Sequence, residues 1–271
     1  MKKTLLALLT VLSASASAQH SLSEIWQSYT TLKTPESVLV DARSKTLYVS
    51  NIGDIKTPNT GFVSKLDMNG NIKALEWVKG LNAIKGLGLY KNMLYAAELN
   101  AVAVIDVTKG SIVKRIPIEG SKMLNDITVD AKGIVYVSDT QTGKIHRIAN
   151  GKVSLYMENQ KGVNGLLSVG SSLYILADGT FIKADADKKT TVIATGIEGG
   201  ADGIVMVKPN EFIVSGWGGV VYYINAKGAK EVLLDTRQKK RSTADIGYDA
   251  NTRTLYIPTF FGNAVDAYKL K

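Results

Sequence analysis

The chain of 271 residues has no cysteine. A disulfide framework and lipidation at an N-terminal cysteine are both excluded, so stability has to come from a packed core, which a chain of this length can supply. Histidine is almost as scarce, with His20 and His146 the only two. Without a His/Cys cluster nothing points to a zinc site, and a Ser-His-Asp triad lacks both a nucleophile-elbow motif and a placed base. No dinucleotide fingerprint is present either: residues 85–88, Lys-Gly-Leu-Gly, open an extended run instead of leading from a strand into a helix. Beyond the N-terminus no apolar run approaches the roughly 18 residues of a membrane helix. Acidic residues are outnumbered by basic ones, 24 against 33, giving a formal net charge of +9, or +7 once Lys2 and Lys3 are removed. The basic residues are scattered over turns, with one cluster at Lys239-Lys240-Arg241. An anionic partner such as nucleic acid would explain the charge, but no stripe or nucleic-acid motif accompanies it; a solvated surface is the reading adopted.

What is present begins with an address. Lys2-Lys3, an apolar run over residues 4–12 and Ala16-Ser17-Ala18 have the layout of a secretory signal peptide cleaved after Ala18. The expectation is a periplasmic or secreted protein starting at Gln19, with one domain over residues 19–271.

That domain repeats. Residues 201–224, ADGIVMVKPNEFIVSGWGGVVYYI, hold three short runs rich in Val, Ile and aromatics, separated by Lys-Pro-Asn and Gly-Trp-Gly-Gly turns. Similar units open at Glu36, Asn125 and Asn164; Asn125 to Asn164 is 39 positions and Asn164 to Asp202 is 38. Four-stranded units at about 40 residues predict a β-propeller. Six repeats fit, over residues 35–81, 82–121, 122–162, 163–199, 200–241 and 242–271. The last has room for three strands only. Residues 21–32, which read as a strand, are expected to supply the fourth and close the ring. His146 falls in the third strand of repeat three and is expected on a blade surface.

The innermost strand of a blade places its first residues near the axis at one mouth of the channel. The openers are Glu36, Lys85, Asn125, Asn164, Asp202 and Ala244. The second strands return to the same mouth, ending at Asn51, Glu98, Asp139, Asp178, Trp217 and Phe260. Four openers, Glu36, Asn125, Asn164 and Asp202, are oxygen donors. An all-oxygen cluster suits a hard divalent cation, with Ca²⁺ expected and Mg²⁺ possible in its place. Asn and Asp before a strand also cap turns through their own backbone; four at equivalent positions favour the metal.

These stretches resemble a known family. PESVLVDARSKTLYVSNI, LNDITVDAKGIVYVSDT, VNGLLSVGSSLYIL and ADGIVMVKPNEFIVSGWGG are similar to the four metal-bearing motifs of the senescence marker protein, gluconolactonase and regucalcin-like family. The resemblance covers the mature chain and implies a six-bladed propeller with one divalent metal in the channel and, in many members, lactone hydrolysis. It implies Glu36, Asn164 and Asp202 as metal ligands, with Asn125 as a fourth ligand or a substrate contact. Two departures stand out. Sugar-lactonase members carry a basic substrate-binding residue two before the Asn that matches Asn125, where this chain has Met123. Lys85 also places a cation opposite a proposed cation site. Either it anchors a substrate anion or acts as an electrophile, or Glu98 or Asp126 neutralises it; pairing with Glu98 or Asp126 is the expectation, whereas pairing with Glu36 or Asp202 would put the lysine in the metal's place and leave the channel metal-free.

The function expected is metal-dependent hydrolysis of a lactone or similar cyclic ester, with Asp202 or Asp126 as general base. Asn125, Lys85, Trp217 and Phe260 are the substrate-binding candidates; the two aromatics either stack a flat substrate or merely pack the rim. The alternative is a non-enzymatic exported propeller that binds a small ligand or a protein at the channel mouth.

Overall fold

The computed structural model describes residues 20–271. The expected signal peptide, its expected cleavage site and Gln19 lie outside them. The described residues form six four-stranded antiparallel sheets in sequence order, the six blades of a propeller. Blade one runs from strand Pro35–Asp41 to strand Ile72–Leu81, and blade five from Ala201–Lys208 to Lys230–Asp235. In blade six, Gly247–Asp249, Thr254–Pro258 and Val265–Leu270 are joined by the N-terminal strand Leu22–Gln27, which pairs antiparallel with Val265–Leu270. The short last repeat is completed from the other end of the chain, as its length predicts. No helix among the described residues is long and apolar enough to cross a membrane.

The core lies between blades. Each neighbouring pair of sheets encloses one cluster of buried apolar side chains, and six such clusters encircle the axis. Between blades four and five, Tyr174 and Phe181 pack against Phe212, with ring centroids 4.7 and 5.0 Å from it. Between blades six and one, Leu47 and Leu66 meet Tyr256 and Val265. A blade strand is thus covered on both faces, which is why these strands read as continuous apolar runs more than as strict alternation. His146 obeys the same geometry. It lies in the third strand of blade three, Lys144–Ala149, but it is buried, not on a blade surface. Its burial pushes the imidazole pKa down.

Four of the six inner strands share an irregularity that positions the site. Pro35 pairs with Asn51 and Val38 with Val49, so Glu36 and Ser37 together face the single residue Ser50. The same two-against-one bulge sets Asn125 and Asp126 against Ser138, Asn164 and Gly165 against Leu176, and Asp202 and Gly203 against Ser215. A bulge re-aims the side chains at it and leaves one backbone N–H without its ladder partner. In three blades a buried serine takes that N–H. The Oγ atoms of Ser50, Ser138 and Ser215 accept from the amides of Ser37, Asp126 and Gly203, each at 2.9 Å.

Candidate active site at the channel mouth

The bulges bring the predicted openers toward one another. Glu36 is 3% exposed. Lys85 Nζ lies 3.6 Å from Glu36 Oε1, and its side chain is only 12% exposed. Asn164 Nδ2 donates to Asp202 Oδ1 at 3.0 Å, linking blades four and five. Asn125 Nδ2 donates to Thr140 Oγ1 at 3.0 Å, and that hydroxyl donates in turn to the Val163 carbonyl at 2.7 Å. Both asparagine amides are therefore oriented by their N–H groups, which leaves their carbonyl oxygens to face elsewhere.

One residue deeper stand Ser37, Asp126 and Asp245. The Ser37 hydroxyl donates to Asp245 Oδ2 at 2.5 Å. Asp126 has both carboxylate oxygens engaged by backbone amides, Ile127 N at 2.6 Å and Leu166 N at 2.6 Å. Asp126 therefore ties blade three to blade four, and its geometry suits that tie better than the role of general base.

Lys85 corrects one expectation. It pairs with Glu36, not with Glu98 or Asp126. Glu98 is occupied otherwise: Arg115 Nε, from the outer strand of its own blade, donates to its Oε2 at 2.9 Å, and the Asn82 amide, from the link between blades one and two, to its Oε1 at 2.9 Å. No sequence periodicity announces this, because Arg115 is 17 positions away, in the fourth strand.

The electrostatics follow from four carboxyls gathered around one ammonium. Burial raises the pKa of Glu36, against the pull of Lys85. Burial likewise holds Asp126 well above the usual carboxylate range, with the charge of Asp245 adding to it. Asp202 is also raised well above that range, by burial and then by Glu36 and Asp245, with Lys85 and the Asn164 amide opposing. Asp245 is pushed up to about 7 by burial and by the Glu36 charge. The cluster carries more negative charge than Lys85 can balance and meets the excess by holding protons.

Three buried oxygens here have no donor: Glu36 Oε2, Asn125 Oδ1 and Asn164 Oδ1. Buried acceptors without partners are rare and costly. These three stand at equivalent positions of three blades, beside the carboxylate of Asp202. Among the described residues no three His, Cys, Asp or Glu side chains form a metal cluster, so the two amides would have to complete a shell. Two carboxylates, two amide oxygens and water make a donor set that fits a hard divalent cation, and the surplus negative charge agrees with it.

Beside the openers a groove of about 440 Å³ runs over the ends of blades four and five. Asn164, Thr140 and Ala201 stand at its inner side and Trp217 at its outer one. Phe260 and Phe261 pack edge-on against Trp217, with centroids 5.3 and 6.1 Å away. These aromatics pack one another at the rim, and Trp217 stays 38% and Phe261 70% exposed. A second cavity, of about 500 Å³, is lined by aliphatic side chains together with Asp41, Arg43, Tyr90, Lys91 and Tyr248 and reaches inward to Asp126 and Asp245.

No protein-family model matches the chain, and no curated protein matches its sequence. Solved structures do. A gluconolactonase from Xanthomonas campestris superposes with a TM-score of 0.72 at 16% identity, over 90% of this chain and 88% of that one. A streptogramin B lyase gives 0.68 at 13% identity, over 93% and 98%. A catalytically inactive variant of virginiamycin B lyase from Staphylococcus aureus, solved with quinupristin, gives 0.66 at 13%, over 93% and 100%. At these identities the likeness defines the fold, a gluconolactonase-like six-bladed propeller over nearly the whole chain.

Proposed function

We propose that this chain is an exported hydrolase that opens a lactone or similar cyclic ester at the channel mouth, with a divalent cation, Ca²⁺ by preference, held by Glu36, Asn125, Asn164 and Asp202. The carrying observation is the trio of donorless buried oxygens on Glu36, Asn125 and Asn164 beside Asp202. The presence of a gluconolactonase among the fold neighbours supports the choice of substrate. When bound, such an ion polarises a carbonyl oxygen and lowers the pKa of a bound water.

The chain's own residues supply the rest. Asp202, one of whose oxygens is held by the Asn164 amide, would receive the proton of the attacking water. The ammonium of Lys85, beside Glu36, would offset negative charge that develops near it as the ring opens. Asn125, aligned through Thr140, orients the ester. Trp217, packed against Phe260, walls the groove in which the remainder of the substrate rests.

The test is lactone hydrolysis with and without chelator, on the wild type and on Asp202→Ala. Both the chelator and the substitution are expected to abolish turnover. Activity indifferent to the two would sink the mechanism.

The position of Lys85 favours a second reading. An ammonium beside Glu36 serves as its counter-charge, and a propeller so neutralised would bind a ligand at the mouth without hydrolysing it. Elemental analysis of the purified protein separates the two: a stoichiometric divalent ion supports the hydrolase, and none supports the binder.

A further inference from the structure

We infer that the mouth face carries a membrane-docking surface: an arc of exposed aromatic, aliphatic and lysine side chains over blades five, six and one that seats on a bilayer of anionic phospholipid. The inference concerns the rim outside the groove and stands whether or not the mouth opens a lactone.

The first observation is where the exposed apolar side chains lie. The mouth loops join second strands to third and one blade to the next. Four large apolar side chains reach solvent on them: Tyr29, 76% exposed, Ile55, 63% exposed, Trp217 and Phe261. All four belong to blades five, six and one or to the links between them. Among the described residues no large apolar side chain is exposed to that degree on the mouth loops of blades two to four.

The loops that carry these tips are tied to one another. The Thr243 amide donates to the Trp217 carbonyl at 3.2 Å, and Arg241, from the same link, reaches Asp266 in the strand after the Phe260–Gly262 turn. The Thr34 amide donates to Asn263 Oδ1 at 2.9 Å. The Lys33 and Thr34 carbonyls accept from Gly53 and Ile52, at the root of the loop that bears Ile55. That loop is braced from within: the Asp54 amide donates to Thr60 Oγ1 at 2.9 Å and Thr57 Oγ1 donates to Asp54 Oδ2 at 2.6 Å, which leaves Ile55 and Lys56 at a fixed tip. The turn under Phe261 holds Phe260 at a φ of 49°, which a bulky side chain rarely adopts. Folding gains nothing from braced or strained loops that hold isoleucine and phenylalanine out in water, so the contiguous patch points to a partner that covers it.

The second observation is charge. The mouth loops of this half carry Lys33, Lys56, Arg237, Lys239, Lys240 and Arg241 against two acids, Asp54 and, inside the channel, Asp245. Asp235 and Glu198 neutralise Arg237, and Asp266 neutralises Arg241. The four lysines are exposed and stand in no ion pair among the described residues. On the mouth loops of blades two to four the balance reverses, with Lys85, Lys122 and Lys161 against five acidic residues.

Rings and ammonium groups side by side suit a bilayer interface, where aromatics sit at headgroup level and lysines reach the lipid phosphates. The core of a protein interface is depleted in lysine, and a nucleic acid has no use for an isoleucine at a loop tip. The basic cluster at Lys239-Lys240-Arg241, which reads in the sequence as solvated surface, thus gains apolar neighbours.

The test is co-sedimentation with vesicles. It uses the chain from Gln19 on, which contains all six blades and omits the apolar run over residues 4–12. Vesicles of phosphatidylglycerol and phosphatidylcholine in equal parts are expected to bind it about tenfold better, or more, than phosphatidylcholine alone. Lys239→Glu with Lys240→Glu lowers partitioning about thirtyfold, since each lysine near an anionic surface contributes about fivefold. Phe261→Ser and Ile55→Ser each lower it about fivefold at an unchanged melting temperature, because both side chains are exposed. Lys132→Glu with Lys227→Glu, at exposed turns away from the mouth, makes the same change in net charge and leaves binding within about twofold. Equal partitioning onto the two kinds of vesicle, or a remote pair as damaging as the mouth pair, overturns the inference. Sensitivity to the mouth lysines without sensitivity to Phe261 and Ile55 assigns the arc to a soluble polyanion and overturns the bilayer as well.

Discussion

Replacing Lys85 by methionine removes the ammonium inside the acidic cluster and keeps an unbranched side chain one atom shorter. Lys85 Nζ lies 3.6 Å from Glu36 Oε1, and Glu36 Oε2 is one of the three donorless oxygens. An ion reaching that second oxygen would share a carboxylate with the ammonium. At an effective dielectric near 20, two unit charges about 4 Å apart interact by roughly 4 kcal/mol, and a divalent ion doubles the charge on one side. The full figure is not realised, because the flexible lysine stem can swing its ammonium toward the mouth. A sixth to a quarter of the doubled figure, about 1.4–2 kcal/mol, corresponds to a gain of some ten- to thirtyfold in affinity. Calorimetric titration of Ca²⁺ into chelator-stripped wild type and Lys85→Met is the assay, and a tighter Kd in the variant is the expected outcome. Stripped of metal, the variant leaves Glu36 without its counter-charge, and its carboxyl answers by taking up a proton, so proton release on Ca²⁺ binding should rise as well. An affinity unchanged or weakened by the substitution would refute the reasoning: the ammonium would then not oppose the ion.

The stability of the metal-free protein should fall as pH rises. Asp245 is lifted from an ordinary value of 3.8 to about 7, so the native state holds its proton more tightly than the unfolded chain; this stabilisation is complete below about pH 4 and lost as pH climbs through 7. In the presence of chelator the melting temperature should be lower at pH 8 than at pH 5.5, and saturating Ca²⁺ should shrink the difference; a chelated protein more stable at pH 8 would contradict it. Gly165→Ala should damage fold and site together, because the added Cβ would fall on the Asp202 carbonyl and press on Leu176 Cδ1 at 3.1 Å. A loss of roughly 2–4 kcal/mol by urea unfolding is expected, against the fractions of a kcal/mol typical of a surface change.

How much of this could be read from the residues depends on where the physical constraint acts. Blade boundaries were legible because turn residues interrupt apolar runs at a nearly constant period; the first repeat, residues 35–81, coincides with the span from strand Pro35–Asp41 to Ile72–Leu81. The openers were legible because the period places equivalent residues at one mouth. Side-chain partners were not. Lys85 has carboxylates on several sides, and whether it turns to Glu36, Glu98 or Asp126 is settled by Arg115, which reaches Glu98 from the outer strand. The burial of His146 was hidden for a related reason: in a sheet packed on both faces, strand parity does not separate inside from outside. The bulge serines left a signal that could have been used. Tyr48-Val49-Ser50, Tyr136-Val137-Ser138 and Ile213-Val214-Ser215 end the second strands of three blades with a hydroxyl at one register. A hydroxyl in an otherwise apolar strand has to answer a polar group across from it, and here that group is the amide freed by the bulge.

The same accounting reaches the site itself. Folding places Glu36, Asp126, Asp202 and Asp245 in a low-dielectric channel with one lysine, an arrangement that hydrophobic packing alone would never select. Asp126 is accounted for by two backbone amides and Asp245 by Ser37. What is left is Glu36, Asp202 and the carbonyl oxygens of Asn125 and Asn164, and Lys85 meets only one oxygen of that set. Protons can neutralise the two carboxylates, but a proton does nothing for an amide oxygen that lacks a donor. A cation that bonds oxygens irrespective of their charge does both. The two asparagines, more than the acids, are therefore the residues that argue for a metal in this channel.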